Sequence, residues 1–184
     1  NPKTANETLG IPLRLTSNFN IKSNRPNQEI VYQQIIKDLV LAEQLLPTKN
    51  YNLLRPNKIA AFAALSNISL VMQNFKNAEK YADSCLELKH ILINYNDIDS
   101  SADIRFPLFN KEIIWYAEAV FNTIARNPKA LVDSDFYNSY DKFDLRKKLF
   151  FQKQDTIINF IGNYNGTNNI NYYFSGFAVD EVYL

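Results

Sequence analysis

The sequence has few of the residues that disulfide frameworks, metal sites and many catalytic centres require. Its 184 residues include one cysteine, Cys85, and one histidine, His90. A disulfide framework or a thiolate metal site needs several cysteines, so both are excluded. A histidine-based zinc site or a Ser-His-Asp triad would depend entirely on His90, which is explained more simply as a surface residue that compensates a helix dipole. We predict that the chain holds no metal ion and no cofactor.

Charge of one sign and long apolar runs are also scarce. Lys and Arg number 20 against 19 Asp and Glu, which gives a net charge of +1. A nucleic-acid-binding protein needs a clustered basic excess, so we do not expect a nucleic-acid partner. No apolar run in the sequence reaches the roughly 18 residues of a membrane-spanning helix. The composition, 46% hydrophobic and 21% charged, is typical of a globular protein.

The first half of the chain has the sequence pattern of helices. We predict three of them, at about 28–46, 58–73 and 76–90. Asn27 is suited to cap the first, whose apolar residues recur every three or four positions until Pro47 ends it. The second is apolar nearly all round, so we expect it to be the most buried element. Between the second and third helices, Gln73 and Asn74 predict a tight turn in which the asparagine takes the left-handed conformation.

The second half of the chain predicts a less regular structure. Alternating apolar residues predict short strands near 112–120 and 149–161, separated by a short helix. The final residues, AVDEVYL, have the pattern of the first turns of a helix, so we expect the chain to stop inside a larger fold. We therefore divide it into a helical part, residues 1–92, and an irregular part with short strands, residues 93–184, within one continuous domain.

The predicted second and third helices form a unit close to 34 residues long, which is the length of a tetratricopeptide repeat. Large and small residues fall at the packing positions of such a repeat: Phe62, Leu65 and Ser66 in the first helix, and Phe75, Ala78 and Leu86 in the second. One unit cannot bury both of its faces, so neighbouring helices must cover it.

The order of segments around this unit resembles the RagB/SusD family of outer-membrane nutrient-binding lipoproteins. In that family a glycine-proline-leucine strand precedes a helix with the pattern R-x-x-x-x-E-x-Y-x-x-I-x-x-D-L-x-x-A-x-x-L-L-P. The matching residues here are Gly10, Pro12, Arg25, Tyr32, Ile36, Asp38, Leu39, Ala42, Leu45, Leu46 and Pro47. This chain also has segments that resemble later parts of the family, in the same order: residues 55–88, 110–119, 136–151 and 177–184.

The resemblance implies a mostly α fold with a tetratricopeptide-like helical core and an irregular region of loops and short strands. It implies a bacterial cell-surface protein that captures nutrients, most often glycans, for a SusC-like TonB-dependent transporter in the outer membrane. The family's lipid-attached cysteine precedes the segment seen here, and Cys85 lies inside a predicted helix, where inert burial is expected. Membrane contact is therefore expected only through a lipid anchor outside this chain.

Two other functions stay open at the level of the sequence. A repeat scaffold that binds a peptide or protein partner in a helical groove would also fit the tetratricopeptide-like unit. A glycosidase would need a pair of carboxylates at a defined separation, and no such pair is marked by the sequence. Because Gly-rich phosphate loops and the G-x-S-x-G and H-E-x-x-H motifs do not occur either, we predict a binding protein with no catalytic residue.

Two polar clusters in the sequence are explained best by structural roles. The acidic stretch at 97–103 superficially resembles a calcium loop, but Ala102 and Leu108 stand where an EF-hand requires glycine and glutamate. We expect a solvated acidic loop there. Asp144 and Arg146 are two residues apart, and we expect them to form an ion pair that holds a loop.

Aromatic side chains are the candidates for ligand contact, because a flat ring can cover the apolar face of a sugar. The candidates are Trp115, Tyr116, Tyr172 and Tyr173. Trp115 and Tyr116 are neighbours on a predicted strand, so one of them must face the core, and we expect it to be Trp115, the larger hydrophobe. Tyr172 and Tyr173 follow a loop rich in asparagine and glycine, where exposed rings are expected.

Overall fold

The computed structural model describes residues 2–49, 52–120, 131–167 and 172–184, and the chain divides into two compact units. The first unit comprises residues 1–51, 56–89 and 181–184, and the second comprises residues 52–55 and 90–180. The first contains the long helices, and the second contains the strands. None of the helices formed by the described residues is both long and apolar enough to cross a membrane.

Each long helix of the first unit begins after an asparagine. The helices are α1, Gln28–Leu45, α2, Lys58–Val71, and α3, Phe75–Leu88. The side-chain oxygens of the capping residues Asn27, Asn57 and Asn74 each accept a hydrogen bond from the main-chain nitrogen three residues later. Each cap satisfies one of the donors that the first turn of a helix leaves unpaired. The three helices predicted from the sequence are thus confirmed.

The turn between α2 and α3 differs from the prediction in one detail. Gln73, and not Asn74, takes the left-handed conformation, with φ of 58°. Asn74 keeps a φ of −89° and caps α3 with its side chain. Because a capping residue has a negative φ, Asn74 cannot also supply the left-handed position, which falls to the residue before it.

The second helix is the most buried of the three, as predicted. Its buried residues are Ile59, Ala60, Ala61, Ala63, Leu65 and Ser69. Small side chains let α3 approach closely, so the Ser66 hydroxyl donates a hydrogen bond to the Ala78 carbonyl oxygen at 2.9 Å. Phe75 does not take the packing role that the repeat pattern gives it, because at the first position of α3 its ring is 65% exposed.

The segment before α1 is held by Gly10 and Arg25, two residues of the motif that resembles the RagB/SusD family. The Gly10 nitrogen donates to the Pro26 carbonyl oxygen at 2.7 Å, and Nε of Arg25 donates to the Gly10 carbonyl oxygen at 2.7 Å. A Cβ at position 10 would lie 2.7 Å from Cγ2 of Val31. Glycine therefore allows this segment to pack directly on α1.

The described part of the second unit contains three two-stranded antiparallel sheets. The pairs are β1, Ile113–Trp115, with β6, Phe177–Ala178; β2, Glu118–Val120, with β5, Tyr172–Phe174; and β3, Phe151–Gln154, with β4, Ile157–Phe160. The short helices are α4, Ser134–Ser139, and α5, Leu145–Leu149, together with α6, Val179–Tyr183, which begins in the second unit and ends in residues assigned to the first. Strands lie in both regions where the sequence predicts them, but each region holds two short strands instead of one.

The core of the second unit is largely aromatic. Phe106, Ile113, Tyr116, Leu149, Tyr164 and Ala178 form its buried cluster. The ring centroids of Phe106 and Tyr164 are 4.8 Å apart, and those of Phe106 and Phe150 are 5.5 Å apart. Rings at such separations and tilted angles pack favourably beyond the area that they bury.

Cys85 offers a test of the packing between α2 and α3. Its side chain is fully buried, and burial raises the pKa of its thiol to about 12. Because the thiolate is the reactive form, iodoacetamide at pH 8 is expected to alkylate the native thiol about 1,000-fold more slowly than an ordinary cysteine. The same protein unfolded in guanidinium is the control and should react fully. Rapid, stoichiometric alkylation of the folded protein would contradict this packing.

Candidate ligand-binding site

A cavity of about 320 Å³ opens on the second unit. One wall is the loop of residues 101–106, and the other is formed by parts of residues 160–167 together with Gln152, Tyr172 and Tyr173. Most of these side chains are polar, and the volume lies at the lower end of the range for small-molecule sites. The cavity thus combines hydrogen-bonding groups with two tyrosine rings.

Two asparagines attach the second wall to β5, the strand that carries the tyrosines. Oδ1 of Asn163 accepts a hydrogen bond from the Phe174 nitrogen at 3.0 Å. Nδ2 of Asn165 donates to the Tyr172 carbonyl oxygen at 2.6 Å, and Oδ1 of Asn165 accepts from the Thr167 nitrogen at 3.1 Å. These side chains replace the main-chain partners that an irregular loop lacks, and they fix the positions of Tyr172 and Tyr173.

Gly166 fixes the course of this loop. Its φ of 64° lies in the left-handed region, and a Cβ there would lie 2.3 Å from the Leu108 nitrogen. A larger residue would therefore be disfavoured both by its backbone conformation and by a main-chain clash. The loop consequently presses against the segment that follows the first wall.

The first wall carries charged side chains. Asp103 is exposed and Arg105 half-buried, and both line the cavity. Nε of Arg105 donates to the Ser100 carbonyl oxygen at 2.9 Å, which holds the loop closed. The Ser101 hydroxyl and nitrogen donate to Asp99 at 2.6 and 2.8 Å, and the hydroxyl bond in particular lowers the pKa of this carboxyl. The wall therefore presents ionised groups to solvent, as expected of a solvated acidic loop.

A buried acidic side chain, Glu112, is connected to the cavity lining through Tyr164. This side chain is 1% exposed, accepts a hydrogen bond from the Ile93 nitrogen at 2.6 Å, and accepts another from the Tyr164 hydroxyl. Desolvation, and after it the bond to Glu112, raises the pKa of the Tyr164 hydroxyl, which stays protonated as the donor. The Tyr164 ring packs on Phe106, a cavity-lining residue. Glu112 is therefore linked to the cavity lining through Tyr164 and Phe106.

The structure separates the four aromatic residues singled out in the sequence. Tyr172, 37% exposed, and Tyr173, half-buried, both line the cavity. Trp115 and Tyr116 are not among the cavity-lining residues that the structure describes. Tyr116 is 5% exposed, and its hydroxyl donates to the Glu118 carboxylate. The half-buried Trp115 ring packs on Phe177 instead, at 6.1 Å between centroids.

The expectation that Trp115 faces the core in place of Tyr116 is therefore wrong. The pairing of β1 with β6 shifts register between Ile113 and Trp115, and both Ile113 and Ile114 are buried. A register irregularity breaks the alternation of side chains on which the prediction depended. It turns Tyr116 into the core, where the Glu118 carboxylate satisfies its hydroxyl.

The polar residues of the cavity had no individual signal in the sequence. Asp103, Arg105, Gln152, Asn163 and Asn165 belong to segments that are recognisable only as polar loops or as a strand. The sequence predicted only the position of the asparagine- and glycine-rich loop before Tyr172. Nothing in the sequence indicated that this loop would meet residues 101–106.

One further polar feature can be compared with the expectations. Asp144 and Arg146 form the expected ion pair, with 2.6 Å between Oδ2 and Nη2, and Asp144 also caps α5. Among the described residues, no three or more His, Cys, Asp and Glu side chains are grouped where they could hold a metal ion.

Comparison with known proteins shows which fold this is. Residues 5–70 match a SusD-like family described as starch-binding and associating with the outer membrane. No curated protein matches the chain. A SusD superfamily protein from Bacteroides vulgatus is 20% identical over 99% of this chain and 46% of its own, with a TM-score of 0.73.

Two other solved structures have the same fold. A SusD-like carbohydrate binding protein from Bacteroides vulgatus is 17% identical, with a TM-score of 0.70 over 96% of this chain and 43% of its own. Surface glycan-binding protein A from Bacteroides uniformis is 12% identical, with a TM-score of 0.60 over 94% of this chain and 43% of its own. The chain spans less than half the length of each of these three proteins.

The resemblance to the RagB/SusD family is confirmed by these matches, in sequence over residues 5–70 and in fold over nearly the whole chain. The predicted fold class, mostly α with a tetratricopeptide-like core, is confirmed with it. The matched sequence contains α1 and most of α2, whereas the cavity is lined by residues 101–173. The case for the cavity as a site therefore depends on its geometry.

The hydrogen bond between Glu112 and Tyr164 can be tested by a double-mutant cycle. Glu112→Ala leaves the Ile93 nitrogen and the Tyr164 hydroxyl without their acceptor, so we expect a loss of about 2–5 kcal/mol in unfolding free energy. Tyr164→Phe should lose about 1–3 kcal/mol. Urea denaturation of both single variants and the double variant should give a coupling energy of about 1–3 kcal/mol. Strictly additive losses would show that the two side chains act independently.

Proposed function

We propose that this SusD-like chain is the glycan-binding part of a cell-surface protein, and that the cavity on its second unit seats a sugar. The observation that carries the proposal is the lining of that cavity, in which Tyr172 and Tyr173 face a wall bearing Asp103 and Arg105. A sugar ring has apolar CH faces and a rim of hydroxyl groups. Aromatic rings cover the former, and carboxylate, guanidinium and amide groups bind the latter.

The comparisons support a saccharide over other small molecules. The matching family is described as starch-binding, and the similar structures include a carbohydrate binding protein and a surface glycan-binding protein. The volume of about 320 Å³ suits one end of a saccharide chain or a short oligosaccharide better than a long bound segment.

The wider role that we propose follows the family. The full protein would be attached to the outer membrane through a lipid anchor, exposed at the cell surface, and would pass its glycan to a SusC-like TonB-dependent transporter. Binding would occur without turnover, because the chemistry of the cavity is that of recognition. Among the described residues that line the cavity, Asp103 is the one acidic side chain, so the pair of carboxylates that glycoside hydrolysis requires is not found there.

The proposal is tested by substituting the cavity tyrosines. Tyr172→Ala and Tyr173→Ala should each weaken binding of the best ligand from a panel of malto-oligosaccharides and other neutral oligosaccharides by about ten-fold, since each removes a ring that a sugar would cover. Isothermal titration calorimetry gives the affinities, and reducing-end assays on the same mixtures should show no hydrolysis.

Tyr183→Ala is the matched control, because Tyr183 is exposed and lies outside the cavity lining. Trp115→Ala should lower the melting temperature without changing the affinity, since the Trp115 ring packs on Phe177. Unchanged affinity in both cavity variants, or loss of affinity in Trp115→Ala at full stability, would place the ligand elsewhere.

A further inference from the structure

A second hollow on the same unit, of about 490 Å³, is lined by three lysines and two aromatic rings. The residues are Ser100, Tyr137, Lys142, Lys147, Lys148 and Phe151, which we call the lysine hollow. No acidic side chain is among the described residues that line it. Three lysine side chains thus line one concave surface.

The floor of the lysine hollow is held in place by its own packing. The rings of Tyr137 and Phe151 meet edge to face, with centroids 5.6 Å apart. Nζ of Lys147 donates to the Tyr140 carbonyl oxygen at 2.9 Å and lies 4.6 Å from the Tyr137 ring centroid. Nζ of Lys153 lies over the same ring at 5.7 Å. These contacts bring positive charge together on a fixed aromatic surface.

The acidic side chains near the lysine hollow are engaged elsewhere. Asp144 forms its ion pair with Arg146, which donates to both carboxylate oxygens, and these bonds lower the pKa of the Asp144 carboxyl. Asp141 accepts a hydrogen bond from the Phe143 nitrogen at 2.8 Å. Residues 137–153 contain five basic and two acidic side chains, in a chain whose net charge is only +1. Among the described residues no carboxylate forms an ion pair with Lys142, Lys147 or Lys148, so their charge is available to an anionic ligand.

The lysine hollow borders the cavity that we propose to bind a sugar. Ser100 lines the hollow and Ser101 lines the cavity, and the same holds for the consecutive residues Phe151 and Gln152 of β3. A saccharide seated in the cavity would thus have the lysines beyond one rim. Both hollows belong to one compact unit, and because successive side chains of a strand point to opposite faces, β3 separates them, with Phe151 on the side of the lysine hollow and Gln152 on the side of the cavity.

We infer that the lysine hollow binds the anionic group of an acidic saccharide, a uronate carboxylate or a sulfate ester. This inference builds on the proposed function and narrows its substrate class from glycans in general to acidic ones. A lysine ammonium is a compact point charge with rotatable donors, so it serves carboxylate and sulfate oxygens alike without requiring one bidentate geometry. Lys142 and Lys148, whose side chains are exposed, supply the binding charge, while Lys147 is also part of the frame.

The experiment compares acidic saccharides with their neutral counterparts. The probes are sulfated and unsulfated dextran oligosaccharides, and oligogalacturonate with its methyl ester, measured by isothermal titration calorimetry at low and high NaCl. The unaltered protein should bind each acidic probe about ten-fold more tightly than its neutral counterpart, and high salt should remove most of the difference. Lys142→Gln/Lys148→Gln should remove this preference and leave the affinity for the neutral probes unchanged.

Lys37→Gln/Lys76→Gln is the matched control, because it removes the same charge from exposed positions of α1 and α3. The inference is overturned if acidic and neutral probes bind equally, or if the preference survives in Lys142→Gln/Lys148→Gln. If acidic and neutral probes bind equally, and Tyr172→Ala abolishes the binding of both, the sugar-binding proposal still stands.

If no saccharide binds, a titration with inorganic sulfate tests the anion site by itself, with nuclear magnetic resonance of the residues around Tyr137 as the measurement. Sulfate-induced shifts there that vanish in the double variant support it, and their absence refutes it.

Discussion

A carboxylate without access to water is the constraint on which the second unit depends. A buried charge is tolerated only where hydrogen bonds replace its hydration, and Glu112 obtains them from the Ile93 nitrogen and the Tyr164 hydroxyl. Its own carbonyl oxygen accepts from the Val179 nitrogen. Segments far apart in sequence are thereby tied to one residue, two through its side chain and one through its main chain. Because the strands of this unit are only two to four residues long, such ties supply much of the order that a larger sheet would provide by itself.

Asparagine side chains also supply hydrogen bonds to main-chain groups, in both units. Asn27, Asn57 and Asn74 begin the long helices, and Asn163 and Asn165 hold the loop that carries one wall of the cavity. In the helix caps the short amide side chain reaches a main-chain nitrogen three residues later, and in the loop it reaches main-chain groups of β5, so in both places it replaces missing main-chain partners. Asparagine side chains therefore serve the local structure of both units.

The helices were predictable because their signals are local. An asparagine cap and an apolar stripe lie within a few residues of each other, and the bounds of α1 and α2 follow from them. The cavity was not predictable in the same way. Tyr172 and Tyr173 could be singled out beside their loop, but the opposite wall comes from residues some seventy positions earlier. The exchange of Trp115 and Tyr116 between core and surface has a related cause, because the register shift in β1 depends on its pairing with β6.

The rigidity of one cavity wall has a consequence for how ligand preference can change in evolution. The segment from Asn163 to Thr167 is bonded through its amides to main-chain groups, and Gly166 tolerates neither a side chain nor a different backbone path. Substitutions there would damage the fold before they altered recognition. Asp103 and Ile104 on the facing wall are exposed, and their side chains do not pack in the core. Sequence changes between related proteins can therefore accumulate at Asp103 and Ile104, so that one fixed wall is combined with a variable one and new saccharides are accommodated without rebuilding the scaffold.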